Sequence, residues 1–560
     1  MSMLARARER VFRDGYSLLG FLLFAVIVIF EWRNYVRKHE GIYLLGPRRV
    51  FDPEFLANDL SWSTLPPTTF AWDYLFAPLW NVWDDFGIVT AGRIVVWILF
   101  AWGFAQLARA ARLPAWAVLA GFVLWLLWGQ RISNCGSPLE GLQPKSFAYP
   151  LAFYSLASVM QGRMIRAGAA AGIATVFHII IGGWSCAAIF FSLAMNRRYF
   201  SVRDLGLFVA GTAPFIVPFI LFVALFHTAG TSPGEQFIMD WIYVTFAQPH
   251  CIDPSYFMRP EVWVRTLTIF PLCLALAFIW PERRPGRVLG CFLAGLVGLF
   301  ALGILAGQAQ WYALLKLYPF QLANALPALF VFVLSLALPA RWGRLGRPAR
   351  AVVPLGIVLC LWLAIDKQVF TEEIFDVPEK FVRSLNVDEP IRYGRKVSQN
   401  RRAMYAWIRD ETPTDSVFIT PYLPEFWIYA EREQVAGFRH PPHDRRLIEW
   451  QQRLEALNGF QPFIRRGFNI KKELSDNEGS LTVAQILRIR DRYGATHYLA
   501  KQRRPELDAY LLYAIGRYYL YRIVELEPDR ARSRAPGLRD DNGVSRSARY
   551  TGSRRPNNGG

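Results

Sequence analysis

The sequence has no glycine-rich phosphate loop, no zinc-like cysteine spacing and no serine elbow, which removes the usual signatures of soluble nucleotide, zinc and acyl-transfer chemistry. It also lacks a repeat of fixed period, so a solenoid is excluded. Six scattered cysteines in 560 residues are too few for a disulfide framework. Cys135 and Cys251 share the same expected compartment, where one bridge between them is compatible with oxidising conditions; the other four sit in apolar runs and read as small hydrophobes. Charged residues make up only 19% of the chain, against 53% hydrophobic and 15% aromatic, which excludes a disordered chain and argues against an ordinary soluble enzyme.

What is abundant is apolar sequence in blocks of roughly 15 to 25 residues, long enough to cross a hydrocarbon core about 30 Å thick. They lie near 16–33, 87–107, 113–129, 147–162, 165–181, 183–195, 205–227, 264–280, 288–306, 319–338 and 351–366. The expected fold is an all-α polytopic bundle of about eleven helices over 1–366, followed by a small α/β domain over 367–529 and a basic tail over 530–560.

The net charge of +19 is concentrated in short arginine-rich segments at every second boundary. These are Arg6 to Arg13, Arg109 and Arg112, Arg163 and Arg166, Arg197 to Arg203, Arg283 to Arg287, and Arg341 to Arg350. By the positive-inside rule they face the cytoplasm, which puts the N-terminus inside and the C-terminal domain outside a cytoplasmic membrane. Glu31-Trp32-Arg33-Asn34 follows the first block in place of a cleavage pattern, so that block reads as a retained anchor. The long connections, above all 34–86 and 228–263, fall on the outer side with a tight turn at Gly182-Gly183. Elaborate loops on one face suit a one-sided enzyme better than a transporter, which needs access from both.

Beyond the last block, an amphipathic helix is expected at 396–410, a strand at 416–420, helices at 443–457 and 481–492, and strands at 496–500 and 518–526. From Arg530 onward eight arginines face two aspartates among Gly, Ser, Pro and Asn, a composition that reads as disordered. Its outer placement argues against nucleic acid as a partner.

Candidate chemistry concentrates on the outer side. Asp59, among Trp62, Phe70, Trp72 and Tyr74, suits a proton acceptor or a ligand for magnesium or manganese, and equally a helix cap. Glu140 cooperates with it if the first two outer loops converge, and is otherwise an exposed loop glutamate. His178 lies inside an apolar segment, where an ionisable group faces protein or a water-filled cavity. His250 and Asp253 in Pro249-His250-Cys251-Ile252-Asp253-Pro254 either converge on that cavity or cap a turn. Arg265 and Lys316 stand at outer membrane boundaries, where each pairs with a lipid phosphate or snorkels as an anchor. Arg439, beside His440 and His443, follows a strand in the α/β domain, a favourable place to hold a phosphate or carboxylate. His178, Arg265 and Lys316 are expected to converge on the mouth of an intramembrane groove.

Taken together, the acidic first loop at Asp59, the short helices around His178 and the outer mixed domain resemble the C-type glycosyltransferase superfamily. A closer resemblance is to a group of bacterial multi-spanning membrane proteins with that topology. There a histidine-glycine stretch, a proline-histidine fourth-loop motif and a threonine-proline plus strand pattern recur; here these are His178 to Trp184, Pro249 to Pro254, and Glu411 to Pro421. Cys251 stands where the group often has a second histidine, which weakens a paired-histidine metal site.

The resemblance implies transfer of a sugar from a polyprenyl-phosphate carrier, held among membrane lipid, to a glycan, lipid or protein acceptor in the envelope. It implies Asp59 as the base or cation ligand. The alternative is a non-catalytic lipid-linked glycan transporter or membrane scaffold on the same fold. Topology is the first matter to test: reporters fused after residues 109, 198, 284 and 344 are expected inside, and those after 60, 140, 250 and 450 outside. An internal reporter at 450 would reverse the placement of the α/β domain.

Overall fold

The computed structural model describes residues 15–133, 136–227, 231–366 and 397–526 apart from 525, with a few isolated positions between 377 and 385. Arg6 to Arg13, Cys135 with its expected bridge, most of the 367–395 linker and the basic tail lie outside the described residues.

Each apolar block is a helix: Gly15–Glu31, Asp85–Ala110, Ala115–Leu127, Pro144–Met160, Met164–Phe177, Ile179–Met195, Val202–His227, Pro260–Phe278, Arg283–Gln308, Gln321–Ala337 and Arg347–Asp366. Four of them, Asp85–Ala110, Val202–Leu225, Pro260–Phe278 and Arg283–Gln308, are long and apolar enough to cross a membrane. The chain is thus an all-α membrane bundle with a small strand-containing C-terminal domain.

The arginine-rich ends gather at one end of this bundle. Arg341 donates to the Arg112 carbonyl (3.1 Å), and the Trp280 indole donates to the Ala111 carbonyl (3.0 Å). Arg344 reaches Glu282 (3.4 Å), and the Arg284 guanidinium lies over the Phe200 ring (5.0 Å). Among the described residues, the ends near 112, 200, 282 and 342 therefore share one end of the bundle.

Between Phe177 and Ile179 the chain reverses at a single extended residue, His178 (φ −153°, ψ 99°). The turn expected at Gly182-Gly183 is displaced: both glycines are helical, and Gly182 is the point where the returning helix meets the backbone of Ala174 and Thr175. A Cβ there has no room, so glycine permits the tight hairpin.

The first outer loop is itself ordered. It contributes the helices Lys38–Phe51 and Phe70–Phe76. Glu40, in the first turn of the former, is fully buried and pairs with the equally buried Arg93 of Asp85–Ala110. Arg93 also donates to the carbonyls of Arg33 and Tyr35 (2.7 Å each), while Glu40 accepts from the amides of Arg37 (2.7 Å) and Leu142 (2.8 Å). One pair thus fixes the end of the first span, the first loop, the second span and the second loop.

The C-terminal domain carries a five-stranded sheet of order β2-β1-β3-β5-β4, formed by β1 (Val417–Ile419), β2 (Glu433–Gln434), β3 (His497–Ala500), β4 (Leu511–Ile515) and β5 (Tyr518–Arg522). β1 runs parallel to β2 and β3, while β5 is antiparallel to both β3 and β4. The expected helices appear at Gln399–Glu411, Arg446–Leu457 and Val483–Tyr493. The last starts from a Thr482/Gln485 capping box and stops at Gly494, whose φ of 68° suits glycine. β2, β4 and the helix Ile470–Glu478 were not expected. β2 has only two residues, and the apolar run Leu511 to Ile515 has no alternation that marks a strand.

Replacing one member of the Glu40–Arg93 pair leaves a buried charge without its partner, at a cost of about 3–5 kcal/mol. Unfolding in detergent is expected to show Arg93→Met strongly destabilised and the Glu40→Gln/Arg93→Met double variant partly restored. An unchanged single variant would remove the pair from its structural role.

Candidate functional site

The second outer loop ends at Pro144, the first residue of the buried helix Pro144–Met160. Lys145, buried, therefore sits in that helix's first turn, adding its charge to the positive end of the helix dipole. Glu140 comes back to it, with Oε2 3.7 Å from Lys145 Nζ and Oε1 3.7 Å from His39 Nε2. The approach turns on glycine, above all at Gly141. Gly141 has φ +104° with its Cβ position taken by Glu40, and a Cβ on Gly136 would stand 2.6 Å from Lys145 Nζ. Arg439, from the C-terminal domain, brings a guanidinium nitrogen within 3.0 Å of both ring nitrogens of His39.

These groups shape one another's protonation. Burial disfavours the Glu140 carboxylate, but Lys145, His39, Arg131 and Arg37 outweigh it and hold its pKa below the usual range, so Glu140 is ionised. Burial, and then the Arg439 charge, push His39 down to about 4, against the pull of Glu140. The result is a carboxylate and a neutral imidazole within a strongly electropositive recess.

His178 borders this recess. Its Nδ1 accepts from the Ile181 amide (3.1 Å) and so caps the helix Ile179–Met195, which leaves Nε2 as the donor of the neutral ring. Phe177 stacks on Phe147, two residues beyond Lys145, at 5.1 Å between centroids. His250, pushed down to about 4 by burial and by Arg439, packs on Phe468 at 4.5 Å. Of the residues expected, Glu140 and Arg439 thus meet at His39, His250 shares the Phe468 ring with Arg439, and His178 follows the Phe177 ring that stacks beside Lys145's helix start.

The other expected residues are engaged elsewhere. Lys316 is not a free cation at a groove mouth: it donates to Asp240 (3.1 Å) and lies over the Tyr243 ring. Arg265 is half-exposed on the helix Pro260–Phe278. Asp253 caps the turn Pro254–Phe257 through the Ser255 amide (3.0 Å) and pairs with Arg466 (3.2 Å), so its capping reading is the one that fits.

Asp59 does not line an open groove. It is 2% exposed and accepts from the Trp427 indole (2.7 Å), the Gln434 amide (3.1 Å) and the Ser61 amide (2.9 Å). Beside it, Glu433 accepts from the Asn58 amide (2.8 Å), and Arg48 forms a two-point pair with Glu431 (2.7 and 3.1 Å). Trp62 stacks flat on His440 at 4.1 Å. This is a seam between the first loop and the C-terminal domain.

Residues 399–457 match the model of a family described as a domain of unknown function, DUF6798. No curated protein matches the sequence. Among solved structures, the chain is similar to ArnT from Cupriavidus metallidurans bound to undecaprenyl phosphate, at 15% identity and a TM-score of 0.40, over 91% of this chain and 98% of that one. The apo state of the same protein gives 15% identity and a TM-score of 0.37, over 90% and 97%. Likeness at that level leaves function to the chemistry of the recess.

His39 and Lys145 were not singled out as site residues. The available signal was the pairing of Lys145 with Pro144 at a helix start, where a cation opposes the dipole unless an anion answers it.

The seam gives a pH dependence. Burial, with the Asp59 charge adding to it, pushes Glu433 up to about 7. A carboxyl whose folded pKa is raised stabilises fully below its unfolded value, and that contribution falls away as pH rises toward about 7. Glu433→Gln, which keeps the acceptor for Asn58, is therefore expected to gain stability over the unaltered protein between pH 5 and pH 8, by on the order of 1–3 kcal/mol. An equal difference in unfolding midpoint at both ends of that range would reject this account.

Proposed function

We propose that the chain is a membrane glycosyltransferase that moves a sugar from a polyprenyl-phosphate carrier to an acceptor outside the cytoplasmic membrane. The observation that carries the reading is the ionised Glu140 set 3.7 Å from Lys145, which itself occupies the first turn of a buried helix, beside His39 and Arg439. A helix N-terminus reinforced by lysine and arginine suits a phosphate, and a carboxylate beside it suits the hydroxyl that attacks the sugar.

In this mechanism the carrier phosphate lies against Lys145 and Arg439 with its prenyl tail among the short helices, and the Nε2 hydrogen of His178 faces the same anion. Phosphate binding offsets the positive charges that hold Glu140 low, which raises its basicity when the donor is present. The acceptor hydroxyl gives its proton to Glu140 as its oxygen bonds to the anomeric carbon. The bond from that carbon to the phosphate oxygen breaks, and the electron pair leaves on the carrier phosphate beside the two cations. Asp59 serves this reading as a positioning residue, because it holds the domain that supplies Arg439.

Among the described residues no three His, Cys, Asp or Glu side chains converge as a metal's ligands, so no step is routed through magnesium or manganese.

Purified protein given a panel of radiolabelled polyprenyl-phosphate sugars with envelope lipids and polysaccharides is expected to consume at least one donor. Glu140→Gln is expected to bind that donor but lose turnover by a factor of about 100 or more, the scale of a removed general base. Lys145→Gln is expected to weaken donor binding. Full turnover in Glu140→Gln would sink the assignment.

A further inference from the structure

The outer face of the C-terminal domain carries a groove of about 610 Å³, open to solvent, between Tyr256 of the fourth loop and the segment 464–472. Its walls are built rather than loose. Glu473 accepts from the Ile464 amide (3.0 Å) and the Arg465 amide (2.9 Å), which fastens the loop to the helix Ile470–Glu478. Arg466 is spent on Asp253, with its guanidinium over the Tyr256 ring.

Three cations remain. Among the described residues, Arg465, Lys471 and Lys472 make no ion pair, and all three side chains are exposed in the groove. The groove and the recess meet at one side chain. Lys471 Nζ lies 5.2 Å from the centre of the Phe468 ring, and the Arg439 guanidinium lies 5.4 Å from the same centre. Phe468 is therefore shared by the groove's lysine and by the cation that reaches His39.

Uncompensated cations beside aromatic walls call for an anion, and the half-exposed rings of Tyr256 and Phe468 that line the groove leave apolar edges against which a sugar can pack. We propose that this groove is the acceptor subsite and that it takes an acidic glycan, a sugar chain bearing carboxylate or phosphate groups. The proposal rests on the transferase reading above and names its acceptor class. The acidic groups engage Arg465, Lys471 and Lys472, and the sugar rings run over Phe468 toward Arg439 and Glu140. A neutral glycan gains nothing from the three cations and an isolated headgroup leaves the aromatic edges unused, so the combination favours a chain that is both acidic and carbohydrate.

The test uses the full chain in discs of neutral lipid. Binding of fluorescent oligogalacturonate is measured against neutral dextran, and vesicles containing phosphatidylglycerol are compared with vesicles of phosphatidylcholine alone. Oligogalacturonate is expected to bind, to weaken steeply with added salt, and to bind about tenfold less tightly to Lys471→Gln/Lys472→Gln, while polyprenyl-phosphate binding stays unchanged. Equal binding of dextran, unchanged binding by the double variant, or retention of phosphatidylglycerol vesicles without oligogalacturonate binding would each overturn the proposal. Failure of the unaltered protein to bind polyprenyl phosphate would overturn the transferase reading instead, and is read in a separate measurement.

Discussion

The Glu40–Arg93 pair is the constraint from which the outer half of the molecule follows. Both side chains are at most 1% exposed, and such burial is tolerable only because the pair is further bonded to neighbouring backbone through both terminal nitrogens of Arg93 and both oxygens of Glu40. Those backbone partners are not incidental. Arg33 and Tyr35 belong to the exit of the first span, Arg37 to the cap of the first outer helix, and Leu142 to the loop that carries Glu140. His39 precedes Glu40 in the chain and Glu140 lies two residues before Leu142, so an architectural pair sets the spacing of two site residues that it does not touch.

The recess then acquires its charge from secondary structure as much as from side chains. Lys145 adds to the positive end of one helix, and His178 caps a second. Arg37, which adds to the field at Glu140, is itself fixed by Glu31 (2.7 Å). Glu140 is left as the carboxylate facing Lys145 and His39, and Lys145 leads the charges that keep it ionised despite its partial burial.

Much of the bundle was readable because helices announce themselves locally. Apolar length marks a span, arginine marks an end, and both signals lie within a few residues of the structure they describe. The strands β1, β3 and β5 were recovered for the same reason. The role of Asp59 was not readable, because its partner Trp427 lies 368 positions away and an aspartate among aromatics looks the same whether a groove or a docked domain covers it. Lys316 misled in the same way: Asp240, which neutralises it, stands 76 positions earlier, and sequence alone presents only a cation beside tyrosines. The reversal at His178 was placed four residues late, since Gly182-Gly183 marks the close approach of two helices rather than the turn between them.

The seam at Asp59 also decides whether the recess is complete. Arg439 is the one cation of the recess that comes from the C-terminal domain, five residues beyond Gln434, whose amide is bonded to Asp59. Two residues before Trp427, Glu425 is reached by Lys38 (3.4 Å) and held by Arg401, so the first outer helix is gripped next to His39 as well. The domain is thus fastened to the first loop at two neighbouring points, by groups whose strength depends on exclusion of water. Loosening the seam withdraws Arg439 from His39 and with it the charge that, after burial, does most to keep that imidazole neutral. Domain docking and site electrostatics are accordingly one equilibrium, and a residue such as Asp59 acts on the recess without facing it.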